Sequence, residues 1–306
     1  MNDNAFIIGR LDDPPRPADV VLDTDAFNEI DDQFAIAWLL KSAGKLNTQA
    51  IYAAPFSNRK AGTPAEGMEK SYEEIVRVAG LCGRADVPAF RGSAAYLPDE
   101  NTPVESDAAR DLARRAMDGN RAGPLYVAAI GALTNIASAL LMEPELTKRV
   151  VLVWLGGHAA HWPDTWEFNM CQDVAAARVV FGSGVPMVQL PCMGVVSSLT
   201  TTGPELMAHL AGKNELCDYL CGITVSEANP HHNRKTWSRV IWDVSVIAWL
   251  LGGDLTAGAL TPSPIPTYDH RYAFDPTRHL IRSVYWVNRD AVFEALFNAL
   301  TGDPAE

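Results

Sequence analysis

The sequence lacks a long apolar run: no stretch is long enough to span a bilayer, and no charged-then-apolar leader opens the chain. Basic residues are also few, since 25 Lys and Arg stand against 37 Asp and Glu, for a formal net charge of −12. This charge disfavours a nucleic-acid backbone or an anionic membrane as a partner. We therefore expect a globular protein that acts on neither nucleic acid nor membrane.

Cysteine is scarce and poorly spaced for structural chemistry. The five cysteines are odd in number and show no paired CxxC spacing. Cys217 and Cys221, four residues apart on a predicted helix, are expected to pack as small hydrophobic side chains. The pattern predicts a reduced, cytoplasmic enzyme without a zinc site or a disulfide framework.

The chain also shows no internal repeat, low-complexity block or linker. Its 306 residues, 48% of them hydrophobic, are enough to bury a large core. Strand and helix patterns alternate over the first two thirds, and the pattern then becomes mainly helical. The predicted fold is α/β: one domain, residues 1–306, with an open, mostly parallel, doubly wound (Rossmann-like) sheet, helices on both faces and a helical C-terminal part.

Apolar runs and helical spacing give approximate element bounds. Residues 1–17 are expected to be irregular, and 229–235 to form a polar loop. The predicted strands cover 18–22, 49–54, 87–92, 125–130, 150–155, 187–190 and 281–287. The predicted helices cover 30–41, 66–81, 106–117, 136–141, 174–181, 241–251 and 290–300.

The chemistry is concentrated in residues 23–32, Asp-Thr-Asp-Ala-Phe-Asn-Glu-Ile-Asp-Asp, which follow the first predicted strand. In open α/β sheets, ligands bind at the carboxyl ends of the strands. Five of the ten residues are carboxylates, and so much like charge in one turn is unfavourable without a cation among it. Carboxylate oxygen is the ligand that Ca²⁺ and Mg²⁺ prefer. The stretch therefore predicts a site for a divalent cation.

Other readings of this stretch remain open. Asn28 is placed to cap the following helix, and acids in a first turn are common, which accounts for Glu29 but not for Asp23 and Asp25. An EF-hand loop would need Gly at Asn28 and Glu at Phe34. A haloacid dehalogenase-type phosphatase also starts with Asp-x-Asp after a strand, and this is the runner-up.

Polar residues follow other predicted strands and are expected at the same edge of the sheet. Each also has an ordinary explanation as a turn, cap or surface residue. Asp243 is different, because it interrupts an apolar run, and a buried carboxylate needs a partner such as a metal. The set comprises Asn58, Thr134, Asn135, Glu167, Asn169 and Asp243.

Five ordered segments give the chain a resemblance to the nucleoside hydrolase family. Asp-Thr-Asp, a turn and Asp-Asp match its signature, although the turn of residues 26–30 is longer than the usual three residues. The later matches are 131–137 (Gly-Ala-Leu-Thr-Asn-Ile-Ala), 154–157 (Trp-Leu-Gly-Gly), 167–169 (Glu-Phe-Asn) and Asp243.

The resemblance implies an enzyme that hydrolyses the N-glycosidic bond of a ribonucleoside to free base and ribose. Asp25 would be the general base that takes a proton from the attacking water, and Asp23 would order the turn. Ca²⁺ is the implied cofactor, and a homodimer or homotetramer is implied by analogy. The implied metal ligands are Asp25, Asp32, Asp243 and the backbone carbonyl of Thr134; the implied sugar contacts are Asp31, Asn58, Glu167 and Asn169.

The chain departs from the family's pattern at two further positions. Trp242 stands where pyrimidine-preferring members have a His that protonates the departing base, and it resembles the Trp with which the purine-specific branch stacks on the base. It is also readable as a core residue. His161 stands where the family has an Asn that contacts the sugar. The histidines at 158, 161, 231 and 232 are alternative acids, although loop histidines are mostly just solvated.

The favoured reading is thus Ca²⁺-dependent hydrolysis of a ribonucleoside, with a purine preferred. Three alternatives stay open: hydrolysis of another ribosyl compound, a Mg²⁺ phosphatase with Asp23 as nucleophile, and a non-catalytic ribose- or nucleoside-binding protein.

Overall fold

The computed structural model describes residues 3–231 and 236–302. Apolar runs such as Val150–Leu155, buried at every position, form the central strands. The strands are β1 (Ala18–Thr24), β2 (Leu46–Ala53), β3 (Ala89–Arg91), β4 (Leu125–Ala129), β5 (Val150–Leu155), β6 (Met187–Leu190), β7 (Thr200–Thr201), β8 (Arg239–Val240), β9 (Thr256–Pro262), β10 (Ile265–Pro266), β11 (Tyr272–Ala273) and β12 (Leu280–Val287).

Helices connect most of these strands, and several begin at a capping side chain: Ser106, for example, accepts a hydrogen bond from the backbone N–H of Ala109. None of the described helices is both long and apolar enough to cross a membrane. The helices are α1 (Asn4–Ile8), α2 (Asp31–Lys41), α3 (Pro64–Leu81), α4 (Asp107–Ala116), α5 (Thr134–Met142), α6 (Phe168–Gln172), α7 (Val174–Ser183), α8 (Gly203–His209), α9 (Glu215–His231), α10 (Val244–Leu251) and α11 (Arg289–Thr301).

Eight strands form one sheet in the order β3-β2-β1-β4-β5-β6-β12-β9. All neighbouring pairs are parallel except β12 with β9, which is antiparallel. Two small antiparallel pairs, β7–β8 and β10–β11, lie outside this sheet. The predicted α/β fold with a mostly parallel sheet is confirmed.

Both faces of the sheet are covered, because side chains alternate along each strand. In β1, Val20 and Leu22 belong to one hydrophobic cluster and Val21 to the other. The first cluster contains residues of α2, α3, α9, α10 and α11, with Trp38 fully buried. The second contains residues of α4, α5 and α7, with Trp154 fully buried. The sheet is therefore doubly wound.

The strand order reverses direction next to β1. From β1 the chain proceeds outward to β2 and β3, and it then returns to the other side of β1 as β4. At this switch point the connections leave neighbouring strand ends in opposite directions, which opens a crevice. Backbone hydrogen bonds from Ile130 N to Asp23 O (2.9 Å) and from Ala54 N to Thr24 O (2.8 Å) continue the pairing to the rim of that crevice.

Several local expectations were wrong. Residues 1–17 include helix α1, and the C-terminal part contributes the unpredicted strand β9 to the main sheet beside β12, whose strand at 281–287 was predicted. Helix α2 begins at Asp31 without a side-chain cap, so Asn28 does not cap it, and α10 begins at Val244, so Asp243 precedes it rather than interrupting it. Helix α9 reaches His231, within the predicted 229–235 loop, while residues 232–235 lie outside the described chain.

Candidate active site

A cavity of about 280 Å³ opens at the carboxyl ends of β1 and β4, near the lower end of the range for small-ligand sites. Six of the side chains that line it are carboxylates, and two are tryptophans. The lining residues are Asp25, Asn28, Glu29, Asp31, Asp32, Ile130, Leu155, His158, Trp166, Glu167, Phe168, Asn169, Cys192, Met193, Trp242 and Asp243.

Three of the predicted acids meet in this cavity. One carboxylate oxygen each from Asp31, Asp32 and Asp243 lies within 4.8 Å of the other two, and all three residues are buried. Asp31 and Asp32 start α2, while Asp243 immediately precedes α10, so two helix starts supply this cluster. The arrangement brings together residues more than 200 positions apart in the chain, and it can hold a cation through oxygen ligands.

Asp25 reaches the same cavity from the residue after β1. Its side chain is 2% exposed, and a side chain added at Gly131, which follows β4, would place its Cβ 3.2 Å from Asp25 Oδ1. Glycine at position 131 therefore lets the two neighbouring strand ends approach closely. Within the described chain, the buried Asp25 Oδ2 has no hydrogen-bond partner. Burial of a carboxylate oxygen without a partner costs free energy, and a bound ligand would remove that cost.

Burial and mutual repulsion make the ionised form of these acids unfavourable without a positive partner. Burial is the largest cause that raises the pKa of Asp25 well above its usual range, followed by repulsion from Asp32 and Asp31. Burial likewise raises the pKa of Asp32 to about 7, against a hydrogen bond from Thr24. The pKa of Asp243 is raised by burial and then by Asp31 and Asp32. A divalent cation removes these penalties by stabilising the ionised carboxylates. The residues thus fit a cation site.

Asp23 belongs to a separate buried network behind the cavity. Its Oδ2 accepts a hydrogen bond from Asn135 Nδ2 (2.8 Å), and Asn135 Oδ1 accepts from the backbone N–H of Ser93 (2.8 Å). Burial raises the pKa of Asp23 to about 7, although the bond from Asn135 lowers it. Asp23 is fully buried and does not line the cavity.

Glu167 and Asn169 are fixed in the opposite wall by backbone groups. The Glu167 carboxylate accepts hydrogen bonds from the N–H groups of Gly157 (2.8 Å), Asn169 (2.8 Å) and Met170 (2.9 Å). Asn169 Nδ2 donates to the carbonyls of Ile130 (3.1 Å) and Leu155 (3.0 Å). These contacts hold both side chains at the ends of β4 and β5.

Two tryptophans flank the acids. Trp242 is half-buried, and its backbone N–H donates to Asp31 Oδ2 over 3.0 Å. Trp166 is 65% exposed and stacks on His270 with ring centroids 3.7 Å apart. The sequence singled out Trp242 but not Trp166, because a lone Trp in a polar loop carries no periodic signal.

Three predicted site residues lie outside the lining of this cavity. Thr134 is fully buried, and its hydroxyl donates to Asp173 Oδ2 (2.7 Å), whereas Ile130, four residues earlier, does line the cavity. Asn58 donates from Nδ2 to Asn28 Oδ1 (2.7 Å) and lines an adjoining cavity. His161 is exposed, while His158, three residues earlier, lines the cavity.

Comparison with known proteins identifies the family of this chain. A family model described as inosine-uridine preferring nucleoside hydrolase matches residues 20–270, most of the chain. The chain belongs to the nucleoside hydrolase family. It is therefore an N-glycosidase, of a family that hydrolyses ribonucleosides and depends on a metal ion.

Individual relatives are distant in sequence. The pyrimidine-specific ribonucleoside hydrolase RihA of Salmonella enteritidis PT4 is 26% identical over 229 residues, which cover 65% of this chain and 73% of that protein. A solved plant nucleoside hydrolase is 20% identical with a TM-score of 0.74, over 93% of this chain and 99% of its own. A purine-preferring ribonucleoside hydrolase from Gardnerella vaginalis is 18% identical with a TM-score of 0.71, over 93% and 98%. These structures share the fold of this nucleoside hydrolase, and the relatives differ in whether they are named for pyrimidine or purine nucleosides.

Proposed function

We propose that this nucleoside hydrolase cleaves purine ribonucleosides in a Ca²⁺-dependent reaction. The observation that carries the proposal is the convergence of four buried acids, Asp25, Asp31, Asp32 and Asp243, on one small cavity with a tryptophan at its wall. Four buried carboxylates without a cation are unfavourable, and the aromatic wall suits a planar base.

Asp25, Asp32 and Asp243 would hold the cation. Their donor atoms are all carboxylate oxygens, which Ca²⁺ prefers. Within the described chain, the buried Asp25 Oδ2 has no hydrogen-bond partner, so it is available to a cation. The backbone ligand expected at Thr134 we assign instead to the carbonyl of Ile130, because Ile130 lines the cavity and Thr134 does not. When bound, Ca²⁺ would lower the pKa of a water molecule in the site.

Asp25 would act as the general base. It accepts the proton of the water that attacks C1′ of the ribose, and the neighbouring carboxylates stabilise the positive charge that develops on the sugar ring. The burial of Asp25 keeps bulk water away from this proton transfer.

Asp31, Glu167 and Asn169 would hold the sugar. The side chain of each of these residues is held by a hydrogen bond to a backbone group. Two carboxylates and one amide would therefore be in position before the sugar binds. Asn58, which is hydrogen-bonded to Asn28 in the adjoining cavity, would contact the far end of the sugar. His161 would contact the sugar only after a movement of its loop.

The runner-up, phosphatase chemistry with Asp23 as nucleophile, is not favoured by this geometry. The Asp23 side chain is fully buried behind the cavity and bonded to Asn135, so a phosphate ester in the cavity does not meet it. Nucleophilic attack requires contact with the reacting atom.

Release of free ribose from a panel of purine and pyrimidine ribonucleosides tests the proposal. We expect release from inosine and guanosine to stop after chelation and to return with Ca²⁺. Faster release from uridine than from any purine would reject the purine preference. Ribose release that survives complete removal of divalent cations would reject the Ca²⁺ dependence.

The assembly and the location of the protein remain predictions. We propose that residues 1–306 form one domain that assembles as a homodimer or homotetramer, with a small ribonucleoside as its partner, in the cytoplasm. The five cysteines are all free, which is compatible with a reducing compartment.

A further inference from the structure

The departing base carries away the electron pair of its bond to C1′, so the site needs a group that stabilises negative charge on it. The cavity acids accept hydrogen bonds when ionised and cannot do this. Trp242 stands where a protonating His is found in pyrimidine-preferring members of the family. A neutral hydrogen-bond donor elsewhere in the wall would meet this need.

His158 is the histidine that the structure places in this wall. It follows β5 and the Gly156-Gly157 pair, is 6% exposed, and alone among the histidines with described side chains lines the cavity. Its neighbour Gly157 has a left-handed φ of 66° and donates its N–H to Glu167. A backbone conformation that favours glycine and a fixed hydrogen bond thus set the position of His158 beside Glu167.

The protonation state of His158 follows from its contacts. The backbone N–H of Met193 donates to Nδ1 over 3.2 Å, so Nδ1 is an acceptor and a neutral ring carries its proton on Nε2. Burial lowers the pKa of His158, against the charge of Asp164 and the hydrogen bonds of the ring with the backbone of Trp166 and Gly157, which raise it. The ring is therefore a neutral hydrogen-bond donor at pH 7.

We propose that His158 is a catalytic residue whose Nε2–H donates a hydrogen bond to the departing base. The proposal rests on the proposed function. As the C1′–O bond to water forms, the C1′–N bond breaks and its electron pair goes to the base; the water proton goes to Asp25. His158 keeps its own proton throughout. The base anion then takes a proton from solvent, and Asp25 returns one to solvent, so the net reaction consumes one water. A neutral imidazole is suited to this electrophilic role.

The test compares two leaving groups in the Ca²⁺-loaded full chain. Inosine needs stabilisation of its departing base, whereas p-nitrophenyl β-ribofuranoside releases a stable anion without help. We expect His158→Phe, which keeps a ring and removes the donor, to lower kcat on inosine roughly 100-fold and kcat on the nitrophenyl riboside less than threefold. His158→Gln, which restores an N–H donor, should recover part of the loss. His209→Phe, at an exposed position on α8 outside the cavity lining, should leave both substrates unchanged.

The two failures are distinguishable. Equal losses on both substrates, or none on either, while the unmodified enzyme cleaves both, would overturn the role of His158 alone. Cleavage of the nitrophenyl riboside by the unmodified enzyme without cleavage of any nucleoside would overturn the proposed substrate, and the role of His158 with it. Activity of each variant on the nitrophenyl riboside also reports that it is folded.

Discussion

The backbone N–H of Trp242 donates to Asp31 Oδ2 over 3.0 Å, although 211 residues separate the two in the chain. This bond ties the start of α2, which carries Asp31 and Asp32, to the residue that precedes Asp243. The wall that is proposed to bind the base and the cluster that is proposed to hold the cation are thereby directly connected. The donor is a main-chain group, which substitution of the Trp242 side chain leaves in place.

Trp242→Ala separates these two roles of Trp242. It keeps the N–H bonded to Asp31 but removes the indole, so we expect KM for purine nucleosides to rise at least fivefold, from a stacking loss of about 1 kcal/mol or more. The kcat on the nitrophenyl riboside should change little. Steady-state kinetics measure both. Trp286→Ala, at a half-exposed position on β12 outside the cavity lining, is the control. An unchanged KM in Trp242→Ala would show that the Trp242 side chain belongs to the core and does not bind the base.

Asp25→Asn should abolish hydrolysis without unfolding the protein. Losing the general base is expected to lower kcat by roughly 10³-fold, because an amide accepts no proton from water. The chelated variant should be no less stable than the chelated parent, since the substitution removes a buried charge whose ionisation is unfavourable. Ribose release and thermal unfolding check the two parts. Asp254→Asn, at an exposed position, is the control. If Asp25→Asn kept more than a tenth of the parent's activity, Asp25 would be excluded as the general base.

Calcium should raise the melting temperature of the protein. A ligand at 100 times its Kd stabilises the native state by about 2.7 kcal/mol. Differential scanning calorimetry of the chelated protein, with Ca²⁺ or Mg²⁺ added back, measures the shift. Asp243→Asn should reduce the Ca²⁺ shift strongly, because Asp243 is one of three acids whose oxygens lie within 4.8 Å of one another. A larger shift with Mg²⁺ than with Ca²⁺ would contradict the assignment of the metal.

Asp23→Asn should stabilise the chelated protein in a pH-dependent way. Burial raises the pKa of Asp23 from 3.8 to about 7, so the folded state resists ionisation. The unfolding free energy of the parent therefore falls as pH rises from 4 towards 7. The variant has no carboxyl at position 23 and does not show this fall. The difference in unfolding free energy should be small at pH 4 and approach at most roughly 4 kcal/mol above pH 7. Urea unfolding across this pH range measures it. A variant that is less stable than the parent, by a margin that grows as pH rises, would mean that the folded state holds the carboxyl ionised.

The sequence allowed prediction of the sheet because its central strands are continuous apolar runs. Strands β5 and β6 have the predicted bounds, since burial on both faces leaves no ambiguity of pattern. Strand β9 was missed because an edge strand is half-exposed and reads Thr-Ala-Gly-Ala-Leu-Thr-Pro, with a Gly inside it and a Pro at its end. Its pairing with β12 depends on tertiary contacts that no local pattern encodes.

The acids of the site were predictable for a similar reason: buried like charges cannot be explained by local structure. The geometry around these acids was harder to predict. The role of Asn28 was mistaken because the longer turn delays α2 to Asp31, and its side chain accepts from Asn58 instead. His158 could not be distinguished from His161 by sequence, since only the left-handed Gly157 and the Met193 N–H decide which ring lines the cavity.

The longer turn of residues 26–30 lies between two anchored ends, β1 and α2, and leaves the carboxylates on both sides of it in one cavity. The parts of this enzyme are thus separable. In the proposed function, the strand ends and helix starts would hold the sugar and the cation, while residues 158–166 and Trp242 would contact the base. Exchange of residues 159–166, which keeps His158 and the cavity acids in place, is therefore a route to new leaving groups.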